Sequence, residues 1–256
     1  QPTRSIRAAM SQSYGYFDNV DVLDALLDAE GIDGLHVIHA KITEDAMRIR
    51  FLLNPEDAAL FGPDGQQTRA LLNKPVPMAE IWNSEVGGSS VRARSGIFTT
   101  RCTNGLMNSW SGRSDWRWAH RGGSDYHGRI SSGLGDAVRS FRVEANGAVE
   151  RYGAAASVAI NDAAELLRQW GGAAGLTAGT RDAAIAALSN EVAVATPVSS
   201  EGGPGSLQAV TDAVTWAAQS AGSLYAQRDA ETAATRILTR GLSAARRNGG
   251  SIEVAA

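Results

Sequence analysis

A chain of 256 residues, 43% hydrophobic and 20% charged, is long and apolar enough to bury a sizeable core, which argues against wholesale disorder. No apolar run approaches the roughly 20 residues of a membrane-crossing helix, no basic-then-apolar leader is visible, and one cysteine, Cys102, cannot form an internal disulfide, so a cytoplasmic protein is expected. The formal net charge of −3 does not suggest a general polyanion binder, yet the ten arginines and five acids between Arg92 and Arg151 give that stretch +5 and leave −8 for the rest.

Asp18-Asn19 ahead of Val20, Val22, Leu23, Leu26 and Leu27 is a capping position followed by an apolar helical face, which Gly31 ends. Residues 35–42 and 47–53 are expected to be strands joined by a hairpin-length turn over Thr43 to Ala46. In the second strand Met47, Ile49 and Phe51 alternate with Arg48 and Arg50, which predicts one wet face. Residues 54–77 hold four of the seven prolines and are read as a long excursion. Further strands are expected at 78–82, 90–94 and 96–102, with Ser95-Gly96 as a tight turn between the last two and Asn104-Gly105 as another turn.

Residues 109–128 show no clean periodicity. Beyond about Ile130 the pattern is helical, with candidate helices at 129–143, 158–169, 181–192, 206–220 and 229–247 and a Gly/Pro loop over 195–205. Strands first and helices after favour an α+β class, an N-terminal helix and antiparallel β-sheet followed by a mainly helical C-terminal half. Residues 1–130 are expected to carry the helix, the sheet and a basic, aromatic segment, and 131–256 the helices packed on that sheet, as one continuous domain.

Five segments fall in an order that resembles a known family. They are Met10-Ser-Gln-Ser-Tyr14 through Phe17-Asp-Asn19; Asn83-Ser-Glu-Val-Gly87 with Ser89-Ser90; Arg101-Cys-Thr-Asn-Gly-Leu106; His120-Arg121-Gly122; and Ser206-Leu-Gln-Ala-Val-Thr-Asp-Ala-Val-Thr215 with Glu231 beyond it. Together, over nearly the whole chain, they are similar to the phage/plasmid-like family described as domain of unknown function 932. In that family the fourth element has arginine before histidine, and here the two are swapped. The resemblance implies a mobile-element origin. It brings no agreed activity and hands over no catalytic residues.

No catalytic constellation emerges from the residues themselves. Cys102 would need a base from His120 or His127 and an orienting carboxylate from Asp115 or Asp125, and no nucleophile signature surrounds it. A small buried side chain is the simpler reading. The four histidines are scattered without zinc-ligand spacing, so neither metal nor cofactor is expected.

The unusual stretch is Trp110 to Arg129, which gathers three of the six tryptophans with four arginines, a tyrosine and two histidines. Such a mixture holds single-stranded nucleic acid by stacking bases on rings and neutralising phosphates. The expected contacts are Arg92, Arg94, Arg101, Arg113, Arg117 and Arg121 on phosphates and Trp116, Trp118 and Tyr126 on bases, with His120 and Arg129 completing the surface. The competing reading buries the tryptophans against the sheet and pairs the arginines with acids. The expected function is a phage- or plasmid-encoded nucleic-acid-associated protein that binds or anneals single-stranded DNA in replication or recombination, as a homo-oligomer and without a membrane. The alternative is a self-assembling or host-interacting module with no nucleic-acid role.

Overall fold

The computed structural model describes residues 10, 14–15, 17–29, 32, 36–60, 75–99, 102–108, 115–120, 125–189 and 205–255, with backbone alone at 60, 98–99 and 102–108. Helix α1 (Asn19–Leu27) begins where Asp18 closes a capping box: its carboxylate accepts the Asp21 N–H at 2.8 Å, and the Asp21 carboxylate accepts the Asp18 N–H at 3.1 Å. One sheet contains β1 (Val37–Ile42), β2 (Met47–Leu52), β3 (Val76–Asn83), β4 (Val91–Thr99) and β5 (Cys102–Asn108) in that spatial order, and β6 (Asp115–Trp118) pairs with β4. The β1/β2, β2/β3 and β4/β6 pairs are antiparallel. Then come α2 (Tyr126–Ala154), α3 (Ala163–Ala174), α4 (Ala178–Leu188), α5 (Leu207–Ala218) and α6 (Leu224–Arg247), with a short parallel pair of β7 (Ala159–Ile160) and β8 (Ser251–Ile252). This is the α+β class read from the sequence. No helix among the described residues is long and apolar enough to cross a membrane.

The chain groups into two compact units, one of residues 1–58, 78–95 and 111–144, the other of 59–77, 96–110 and 145–256. In the first, the β1–β2 hairpin turns where expected: the Thr43 N–H donates to the Ala46 carbonyl at 2.8 Å and the Thr43 hydroxyl accepts from the Ala46 N–H. The wet face expected for β2 does not exist. All six of its residues are buried, Arg48 and Arg50 among them. Glu80 is the cross-strand neighbour of Arg50, and their side chains meet at 2.8 Å with neither exposed to solvent. Strand alternation gave the two faces correctly but not what covers them. The Met47, Ile49, Phe51 face lies beside Asn83, Ile81 and Ala79, all buried.

Two further expectations fail in the same way. Ser95-Gly96 makes no turn, because β4 runs through it to Thr99, and Asn104-Gly105 lies within β5 rather than in a bend. Glycine and asparagine tolerate turns but do not compel them where a ladder is available on a neighbouring strand. Among α2 to α6, α5 starts at Ser206 as expected, and the other four helices start elsewhere than expected. Cap residues set the starts: Asp162 accepts from Glu165 N–H, Thr177 from Thr180 N–H, Ser206 from Ala209 N–H and Ser223 from Ala226 N–H. Gly175, at φ +101°, closes α3 in the left-handed conformation.

The core of the second unit is built on α5, whose residues are all buried except Trp216. Alanines at 209, 213, 217 and 218 let neighbours approach closely, and α4, α6 and β5 all pack on it. At Gly241 of α6 the fit is tight: a side chain there would meet the Leu207 methyls at 2.5 and 2.6 Å. This packing also takes in polar groups. The Tyr152 hydroxyl donates to Asp212 at 2.5 Å inside the core.

Candidate nucleic-acid interface

The register of β4 and β6 sorts the expected contact residues into two sets. Val91 faces Trp118, Arg92 faces Arg117, Ala93 faces Trp116 and Arg94 faces Asp115. Residues directly opposite in an antiparallel pair point to the same side, and neighbours along a strand point to opposite sides. Arg92, Arg94, Asp115 and Arg117 therefore share one face. Val91, Ala93, Trp116 and Trp118 share the other, and Val91 and Ala93 are fully buried. The mixed surface of rings and guanidinium groups foreseen from composition is divided by the two-residue period of the strands.

The ring face is a packing face. Gly133 of α2 has no room for a side chain, since a Cβ there would lie 2.6 Å from the Trp116 indole nitrogen. Trp118 is half-buried and its indole nitrogen is enclosed without a hydrogen-bond partner among the described residues. Tyr126 packs on Phe17, with ring centroids 4.6 Å apart, and its hydroxyl donates to Asp21 at 3.3 Å. The Asp21 and Asp18 carboxylates hold the Tyr126 hydroxyl above its ordinary range, Asp21 contributing most. Trp116 and Tyr126 thus pack on neighbouring elements, and all three rings are half-buried.

His120 is also structural. Its ring lies flat against Tyr14 (centroids 5.0 Å apart, planes 9° apart) and tilted against Phe17, is 8% exposed, and neither nitrogen finds a hydrogen-bond partner among the described residues. Its carbonyl accepts from the Gly15 N–H at 3.0 Å, tying the segment before α1 to the end of β6. His127 lies 3.7 Å from Asp28 on an exposed surface. Among the described residues no three His, Cys, Asp or Glu side chains gather as metal ligands. The Cys102 side chain lies outside the described residues, as do Arg101, Arg113, Arg121 and Trp110.

The guanidinium face sets two arginines opposite each other. Arg94 approaches Asp115 at 3.8 Å, both partly covered. Arg92 is half-buried, and its Nε donates to the Ser90 hydroxyl at 3.4 Å. Arg117 is exposed and has no ion pair among the described residues, and the same holds for Arg129 at the start of α2. Like charges set directly across an antiparallel pair repel. The Arg92–Arg117 pair therefore concentrates positive charge on this face.

No protein-family model matches the chain, and no curated protein or solved structure matches it either.

Two histidines of the first unit make its stability depend on acid. Burial, then the positive charges of Arg48, Arg50 and Lys41, lower His39 from 6.5 to about 4, with Glu80 opposing. Burial lowers His120 too, with the Gly15 backbone opposing. Both resist protonation when folded and accept it freely when unfolded. Stability is thus complete above the unfolded value of about 6.5 and falls as pH drops below it toward the folded values. Urea midpoints followed from about pH 7.5 to about 4.5 are expected to decline. The decline should be shallower in a His39→Gln, His120→Phe double variant, and an equal decline would show that other groups carry it.

Proposed function

We propose that this protein binds nucleic acid through its phosphate backbone, as a single-strand-binding or annealing factor of a phage or plasmid working in the host cytoplasm. The observation that supports this reading is the Arg92–Arg117 apposition, with Arg94 and Asp115 beside it on the same face. The mobile-element origin is part of the proposal and rests on the motifs quoted above. The mechanism is charge neutralisation. Guanidinium groups displace counterions from phosphates, and the entropy of counterion release drives association. Stacking on Trp116, Trp118 and Tyr126 plays no part in it, because those rings are half-buried.

The two mechanisms differ in which variants lose binding. In mobility shifts with a labelled oligo(dT), Arg92→Glu/Arg117→Glu is expected to abolish binding at a salt concentration where the parent protein binds. Trp118→Phe is expected to bind like the parent. Loss of binding in the phenylalanine variant alone, with its stability intact, would return the reading to base stacking.

Self-assembly is the second reading, and one observation favours it. Among the described residues β1 pairs only with β2, and its Val37 and Ile42 are 52% and 61% exposed. A bare sheet edge with apolar side chains is a template for another strand. Sedimentation with and without oligonucleotide separates the readings: an oligomer indifferent to DNA supports assembly alone.

A further inference from the structure

Helix α6 carries a second basic surface, outside the central basic stretch. Between Thr232 and Ile252 there is no acid, while Arg236, Arg240, Arg246 and Arg247 are all exposed. None of the four has an ion pair among the described residues, although acids outnumber bases over the whole chain. At about 100° per residue, Arg236, Arg240 and Arg247 fall within about 40° of one another around the helix, a stripe about 16 Å long. The exposed side chains between the arginines, Thr239 and Ser243, carry only hydroxyl groups.

Two of these arginines are held in place. The Arg236 guanidinium donates to the Ala174 carbonyl at 2.9 Å, at the last turn of α3. Arg240 lies over the Trp170 ring, 4.1 Å from its centroid. A guanidinium resting on an indole keeps its edges free for oxygen acceptors and loses little freedom on binding. Arg246 and Arg247 are accounted for in part by the helix C-terminus, where cations are favoured. Arg236 and Arg240 lie two to three turns earlier, beyond the reach of that effect.

We propose that this stripe is a second contact for the phosphate backbone of nucleic acid, independent of the guanidinium face on β4 and β6. A row of like charges along one helix, without interleaved acids and with pre-oriented guanidinium groups, suits a linear polyanion with evenly spaced charges. The identity of the polyanion rests on the nucleic-acid reading above. The surface itself rests on different residues in the other compact unit.

The test uses the full chain, labelled oligo(dT) and, as a polyanion of another class, poly-glutamate. Anisotropy titrations over a range of salt compare the parent with Arg236→Gln/Arg240→Gln/Arg247→Gln, with the corresponding triple lysine variant, and with Arg92→Gln/Arg117→Gln. The glutamine triple is expected to bind oligo(dT) roughly tenfold more weakly, with a log–log salt slope shallower by about 2, close to 0.7 per lost phosphate contact. The lysine triple keeps the charge and is expected to retain most of the affinity, which excludes misfolding as the cause. A glutamine triple that binds like the parent, while the sheet double binds weakly, overturns this inference and leaves the sheet surface standing. Poly-glutamate bound as tightly as oligo(dT) overturns the assignment to nucleic acid. No binding by the parent at low salt overturns the nucleic-acid reading and this inference with it.

Discussion

Glu80→Ala is expected to destabilise the protein by about 3–5 kcal/mol, the usual cost of removing one member of a buried ion pair. The Arg50 guanidinium lies 2.8 Å from Glu80 with no exposure to solvent, on a strand whose every residue is buried. Without the carboxylate, a full positive charge stays in the sheet interior beside a second buried arginine, Arg48, two residues away. Neither side chain can turn to water without breaking β2 out of the sheet. The cost therefore comes from the charge left behind more than from the lost hydrogen bond. Replacing both partners by apolar residues of similar size, Arg50→Met with Glu80→Leu, is expected to cost far less than the single change. Urea midpoints of the three variants measure the coupling. Additive effects would mean that the pair does not act as a unit.

Gly133→Val is expected to cost about 1–3 kcal/mol through overpacking. The glycine exists because Trp116 lies across it: a Cβ would stand 2.6 Å from two atoms of the indole. A branched side chain on α2 must push the ring aside, and the ring belongs to β6, a strand of four residues that pairs with β4. The strand is too short to hold its place once the indole loses its seat. In a Trp116→Leu background the same glycine change is expected to cost much less, because the smaller side chain leaves room. Tryptophan fluorescence and thermal unfolding of the four proteins report this coupling directly. Equal costs in both backgrounds would place the strain elsewhere.

The order of the first four elements was legible because it rests on local rules, whereas β6 lies in a stretch without periodicity. Apolar periodicity and the cap at Asp18 placed α1, and alternating side chains placed β1, β2 and β3. The helix starts at Asp162, Thr177 and Ser223 were also written in the sequence as capping residues, but glycine breaks are a weaker guide and led elsewhere. What could not be read was tertiary. Strand alternation separates Arg48 and Arg50 from Met47 and Ile49, yet nothing local says that both faces of β2 are covered. In the same way, the density of tryptophan and arginine between positions 110 and 129 is a property of composition. The period of β6 assigns Trp116 and Arg117 to opposite sides. The α6 stripe is legible in helical spacing and the absence of acids from 232 to 252, a local pattern that net charge over longer stretches hides.

The same lesson bears on mechanism. A surface that neutralises phosphates without stacking bases binds any sequence alike and releases as salt rises. A surface that stacks bases keeps part of its affinity in salt.

The most direct measurement is the affinity of the full chain for a labelled single strand between about 50 and 200 mM salt, plotted as log K against log salt. Engagement of the sheet arginines predicts a straight line with slope of about −2 or steeper, at about −0.7 per phosphate. A flat line, or no complex even at the lowest salt, would contradict it.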